Sequence, residues 1–291
     1  MSASLISRRT AIGALAGGVV SSSLLSHAQE IQPELKLKGN IKQSVSAWCY
    51  LNDKLPLEDF CKECVKLGLV GLDLVNEKQW PTIIEHGLIP TMVPGAGNIA
   101  NGTNRKENHA QMLEDFRTNI EKAAKHKIRN VITFSGERKG MSDEEGAENS
   151  ILLLKEAAKI AEDNGVIINI ELLNSKVDHK DYMCDHSEWG VQVCEGVGSP
   201  AVKLLYDIYH MQIMEGDIIR TIKKYHQYFG HYHTGGNPGR NEIDETQELN
   251  YPPIMQAIVE TGDDVYVAHE FVPKRKDRLA SLKQAVLICD V

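Results

Sequence analysis

The chain has 291 residues, 42% apolar and 25% charged, with 40 acidic against 32 basic side chains and a formal net charge of −8. That mixture excludes a disordered chain, a collagen and a coiled coil, and the length is ample for a large buried core. The acidic balance argues against nucleic acid or an anionic membrane surface as the main partner, because phosphates are bound by basic faces.

Residues 1–28 contain no Asp or Glu. Ser7-Arg8-Arg9-Thr10 precedes an apolar, small-residue run from Ala11 to Leu25, and Ser26-His27-Ala28 offers small residues before a cleavage point at Gln29. A basic start, a modest apolar run and a small-residue cleavage site define a signal peptide. The pair Arg8-Arg9 resembles a twin-arginine signal. The run is shorter than the roughly 20 residues a bilayer span needs. The expectation is a signal over 1–28, a linker over 29–40, one domain over 41–291, and a periplasmic location. No later stretch is long and apolar enough to cross a membrane.

From Ile41 the chain alternates short β-rich runs with helical stretches. The predicted strands are Gln43–Trp48, Val70–Val75, Ile89–Val93, Asn130–Phe134, Ile167–Leu173, Val202–Tyr209, Phe229–His233 and Val265–Phe271. Apolar spacing predicts helices over Asn108–His126 and Glu145–Asn164. Gly68, Gly87 and Gly165 stand where helices should stop before the next strand. Cys61 and Cys64 form a CxxC inside a helical pattern, which reads as two core-facing residues rather than a metal or redox pair. Regular alternation implies a parallel sheet with right-handed crossovers. Eight units in about 250 residues is the size of a closed (β/α)8 TIM barrel. An open doubly wound sheet is the competitor, but no GxGxxG follows the first strand.

Working residues of such barrels sit at the C-terminal ends of strands. Strands 5 to 8 each carry an acid or histidine there: Glu171, Asp207, His233 and Glu270. A charge within an apolar strand is expensive to bury unless it is paired or binds a metal. Singly, each reads as a salt-bridged strand-end group. Together they make a cage of three carboxylates and one imidazole, suited to one divalent ion such as Mn²⁺, Mg²⁺, Co²⁺ or Zn²⁺. His231 reads as a core or outer residue one layer below His233, and His269 as pointing toward the helices. Asp178 to His186 reads as a solvated loop, with a lid as the alternative. Trp48 reads as a substrate-pocket wall, with a filler of the barrel end as the alternative.

The segments Glu171-Leu172-Leu173-Asn174, Asp207-Ile208-Tyr209-His210-Met211-Gln212, Gly230-His231-Tyr232-His233, Asn237-Pro238-Gly239-Arg240 and His269-Glu270-Phe271 make the chain resemble the xylose-isomerase-like TIM-barrel superfamily. Within it, the resemblance is to the hydroxypyruvate isomerase and ketose 3-epimerase branch. Ser46-Ala47-Trp48 and Phe134-Ser135-Gly136 are also similar to hydroxypyruvate isomerase. The resemblance implies that Glu171, Asp207, His233 and Glu270 hold one divalent metal and that His210 and Arg240 contact substrate. It implies a metal-dependent isomerase of a small hydroxycarbonyl compound, hydroxypyruvate to tartronate semialdehyde, working through an enediolate. Glu171 and Glu270, on strands 5 and 8 that face each other across half the barrel mouth, read as the proton-transferring pair. The alternatives are a periplasmic keto-sugar epimerase or lyase, and a non-catalytic exported sugar-binding barrel. The expected partner is a small sugar or hydroxy-keto acid. Homo-oligomer formation is left open. The three-metal DNA-repair endonucleases of the superfamily need histidines at the ends of strands 2 and 3, where this chain has Leu74-Val75 and Met92-Val93-Pro94.

Overall fold

The computed structural model describes residues 33–291 apart from Asp53; the expected signal over 1–28 lies outside them. The strands are β1 (Lys42–Ser46), β2 (Gly71–Asp73), β3 (Ile89–Ala96), β4 (Asn130–Thr133), β5 (Ile167–Glu171), β6 (Val202–Asp207), β7 (Phe229–Thr234) and β8 (Tyr266–His269). All neighbours pair in parallel and β8 closes onto β1, giving the predicted eight-stranded barrel. The helices are α1 (Leu57–Lys66), α2 (Trp80–Glu85), α3 (Lys106–Lys125), α4 (Asp143–Asn164), α5 (Ser187–Val197), α6 (Ile208–Met214), α7 (Ile218–Tyr225), α8 (Tyr251–Thr261) and α9 (Arg278–Ile288). Gly68, Gly87 and Gly165 all adopt the left-handed φ that ends a helix cheaply. Among the described residues no helix is long and apolar enough to cross a membrane.

Alternation along the strands produces two apolar cores. Outward residues such as Val45, Leu72, Val131, Ile168, Ile170 and Val267 pack beneath the helices. Inward residues Met92, Ile132 and Leu205 form a small separate cluster within the barrel. Two positions farther along β6, on the same inward face, comes Asp207. The interior therefore runs from an apolar plug to a charged mouth. Gly71 permits part of this closure: a Cβ there would lie 2.0 Å from the Ile89 carbonyl oxygen on β3.

Several predicted ends move. β6 stops at Asp207 instead of Tyr209, because the Asp207 side chain accepts the His210 backbone N–H at 3.2 Å and caps α6. β1 stops at Ser46, and Trp48 lies in a short 3-10 turn over Ala47–Cys49. Residues 33–40, read as linker, lie against the barrel: Glu34 N–H donates to Lys66 O at 2.8 Å and Lys38 N–H to Asp290 Oδ1 at 2.8 Å. Cys61 and Cys64 are buried free thiols on α1.

Candidate metal centre at the barrel mouth

Parallel register sets Asp207 beside His233 across β6 and β7. Glu171 closes β5, and Glu270 sits one residue beyond β8, its N–H donating to Thr234 O at 3.0 Å. The four predicted groups converge: one ligand atom from each of Glu171, Asp207, His233 and Glu270 lies within 4.8 Å of all the others. All four are buried. His233 Nδ1 is 2.5 Å from Glu270 Oε2, 3.4 Å from Glu171 Oε1 and 3.8 Å from Asp207 Oδ2.

Three carboxylates in so small a space carry more negative charge than the protein neutralises comfortably. Burial pushes Glu171 up to about 7; the Glu270 and Asp207 charges add to this and His233 opposes it. Burial also acts on Glu270, but Arg240 and His233 outweigh it and hold Glu270 below the usual carboxylate range. For His233, burial is outweighed by Glu270, Asp207, Asp73 and Glu171, which raise it. Arg240, on a left-handed backbone in the loop after β7, reaches back between the acids. Its Nη2 donates to Asp207 Oδ2 at 2.8 Å and to Glu270 Oε2 at 2.7 Å. That guanidinium stands where positive charge is wanted. The donor set of three oxygens and one imidazole nitrogen fits a hard or borderline divalent ion.

The predicted substrate residues border the same space. His210 is fully buried on the first turn of α6. Its Nδ1 accepts the Asn174 backbone N–H at 3.2 Å, so the ring proton sits on Nε2, 3.7 Å from Asp207 Oδ2 and without a hydrogen-bond partner. Burial pushes this imidazole down to about 4, which keeps it neutral. Trp48 is 50% exposed, and its indole N–H donates to Glu270 Oε1 at 2.7 Å. It thus holds the Glu270 carboxylate. Tyr209, 5.5 Å below the Arg240 guanidinium, donates its hydroxyl to Asp178 Oδ2 at 2.8 Å.

Other expectations separate. His231 lies below His233, as read from the sequence, with its Nε2 3.1 Å from Asp73 Oδ1. His269 faces outward, bonded to Gln43 Oε1 at 2.9 Å and Thr234 Oγ1 at 3.0 Å. The loop after β5 is solvated only in part: Asp178, Asp181 and His186 are exposed, as expected, but the stretch between Asp181 and His186 is not. Tyr182 to Asp185 are buried, and the Tyr182 hydroxyl donates to Glu171 O at 2.9 Å. Arg138 pins the loop through Asp185 at 3.1 Å. Sequence reasoning missed Asp73 and Asn174. Asp73 offered the same signal as the others, an acid in an apolar strand.

A family profile described as Xylose isomerase-like TIM barrel matches residues 81–287. The chain belongs to that family. A 2-oxo-tetronate isomerase of Cupriavidus necator is 34% identical over 118 residues, 40% of this chain and 45% of that protein. A putative hydroxypyruvate isomerase of Homo sapiens is 28% identical over 121 residues, 42% of this chain and 44% of that protein. The matches thus span less than half the length of these two relatives. Among solved structures, a family 2 AP endonuclease from Brucella melitensis has a TM-score of 0.73 at 23% identity, covering 83% of this chain and 96% of that one. The IOLI protein with a bound zinc atom has a TM-score of 0.61 at 16% identity, covering 86% and 95%. These likenesses show the shared barrel.

Proposed function

We propose that this chain is a metal-dependent isomerase of small hydroxycarbonyl compounds, hydroxypyruvate isomerase-like in its chemistry. The observation that carries the reading is the convergence of Glu171, Asp207, His233 and Glu270 at the mouth of a closed barrel. The names of the two isomerase relatives support a 2-oxo acid as substrate. A divalent ion held by these four residues supplies Lewis-acid polarisation of a substrate carbonyl. Glu171 and Glu270 are the proton-transferring pair: one takes a proton from the hydroxyl-bearing carbon, and a proton is returned to the neighbouring carbonyl carbon. In hydroxypyruvate this moves hydrogen from C3 to C2, with the hydroxyl proton passing between the two oxygens, and yields tartronate semialdehyde without an external oxidant or reductant. His210 donates from Nε2 to a substrate oxygen, Arg240 offers a planar fork to the carboxylate, and Trp48 lines the entrance while holding Glu270.

A keto-sugar epimerase is the second reading, favoured by the Asn174, Tyr209 and Asp178 chain beside the site, which suits hydroxyl groups. A panel of hydroxypyruvate, 2-oxo-tetronate, ketoses and 3-keto-glycosides, run with added metal in D₂O, separates the two. Isomerisation of a 2-oxo acid with deuterium at the former carbonyl carbon is expected; turnover of keto-sugars alone would favour the epimerase, and no turnover of any substrate would leave a sugar-binding barrel. We also propose a domain order of export signal over 1–28 and barrel beyond, and a periplasmic location, supported by Arg8-Arg9 and the Ala28 site. A native protein mass lacking the first 28 residues is expected; a full-length cytoplasmic product would contradict it.

A further inference from the structure

We propose that Asp73 is a positioning residue of the candidate metal centre, deciding which ring nitrogen His233 turns toward Glu171, Asp207 and Glu270; this rests on the reading of those groups as ligands. Asp73 closes β2, in the half of the barrel that holds none of the four convergent groups, and its side chain is fully buried. Its Oδ2 lies 2.7 Å from His233 Nε2, in hydrogen-bonding geometry. Its Oδ1 accepts the Thr91 hydroxyl at 2.8 Å. A carboxylate offers only acceptors, so the ring proton of His233 belongs on Nε2.

Nδ1 is then the nitrogen that faces the three carboxylates, 2.5 Å from Glu270 Oε2. An imidazole that points one nitrogen into a ligand cage and gives the other N–H to a buried carboxylate is held in both tautomer and orientation. Thr91 from β3 and His231, one layer down on β7, fix Asp73 in turn. The ring cannot rotate to present Nε2 to the cage without leaving a buried carboxylate unpaired, which is costly. Through this contact the half of the mouth without convergent ligands sets the geometry of the half that has them.

The experiment is ¹⁵N-histidine NMR on the Zn²⁺-loaded protein, together with Zn²⁺ affinity measured by competition with a chelating dye. In the wild type, His233 should ligate through Nδ1 and carry a strongly hydrogen-bonded proton on Nε2. Asp73→Asn should weaken Zn²⁺ binding by about 10- to 100-fold. Thr91→Val, of similar volume, removes one support of Asp73 and should weaken it about three-fold. Ligation through Nε2, or an unchanged affinity in a folded Asp73→Asn protein, would overturn the proposal. Should Asp73→Asn not fold, the wild-type spectrum and Thr91→Val decide, and unchanged affinity in the latter would overturn it. Two zinc ions per wild-type chain, the second on Asp73, His231 and His233, would make Asp73 a ligand and also overturn it. A wild type that binds no Zn²⁺ removes the ligand reading beneath the proposal, an outcome recognisable before any variant is made.

Discussion

Strands β5 to β8 deliver Glu171, Asp207, His233 and, one residue on, Glu270 to the barrel mouth, whereas β1 to β4 end in Ser46, Asp73, Ala96 and Thr133. In the second group several polar side chains are paired. Thr133 Oγ1 donates to Ala96 O at 2.9 Å, Asn130 Nδ2 to Thr91 O at 3.0 Å, and Thr91 and His233 both serve Asp73. In the first group three buried carboxylates share three donors, Arg240, Trp48 and the His210 backbone N–H, besides His233. One half of the mouth holds a single carboxylate, Asp73, whose oxygens are met, and the other is a charge surplus. Buried charge without a matching partner costs several kcal/mol, which is what supports the proposed reading of this surplus as a ligand set.

The sharpest way to break that contrast is to remove single charges from the surplus. Glu171→Gln and Glu270→Gln keep side-chain size and one oxygen donor. Each should lower turnover by about 10²- to 10⁴-fold, measured at saturating metal with occupancy determined for each variant. A metal-loaded Glu171→Gln protein with near-normal turnover would rule out the proposed proton-transfer pair.

A smaller effect is expected at His210, which borders the surplus without belonging to it. Its Nε2–H is buried and unpartnered, which suits the proposed role of donating to a substrate oxygen. His210→Ala should raise KM about tenfold, the worth of one good hydrogen bond, and leave metal content unchanged. Loss of metal in step with loss of affinity for substrate would place His210 in the ligand set instead.

The working half was also the more legible one in the sequence. Glu171, Asp207 and Glu270 stand out because each interrupts an apolar strand, and alternation places them on one face. Asp73 interrupts an apolar strand just as clearly in Gly71-Leu72-Asp73. It escaped because its role depends on a contact across the barrel, 160 positions from His233, and no periodicity records that. Strand ends were blurred where an apolar run continues through a change of structure. Asp207-Ile208-Tyr209-His210 reads as one strand until the Asp207 carboxylate is seen capping α6. The loop after β5 looked solvated from its Asp, His and Lys content, and much of it is, yet Tyr182 and Arg138 draw the stretch from Tyr182 to Asp185 onto the barrel through bonds with no local sequence signature.

The smallest effect is expected at a buried carboxylate whose needs are already met, the counterexample to the surplus. Glu242, in the loop after β7, is 6% exposed. It accepts the backbone N–H groups of Lys274 and Arg275, each at 3.0 Å, and the Ser281 hydroxyl at 2.8 Å. It thereby ties the loops after β7 and β8 to α9. Burial alone would raise its pKa, but the Arg275 and Lys274 amides and the Ser281 hydroxyl outweigh burial and lower it. A carboxyl group lowered in the folded state contributes stability above its unfolded value of about 4.3, and loses that contribution as pH falls through the folded value. Glu242→Gln should therefore cost about 1 kcal/mol near neutrality, with turnover little changed. In thermal unfolding followed from pH 7 down to pH 3, the gap between wild type and variant should narrow below about pH 4.3. A gap that stays constant across that range would mean that the loop is held by shape rather than by the Glu242 charge.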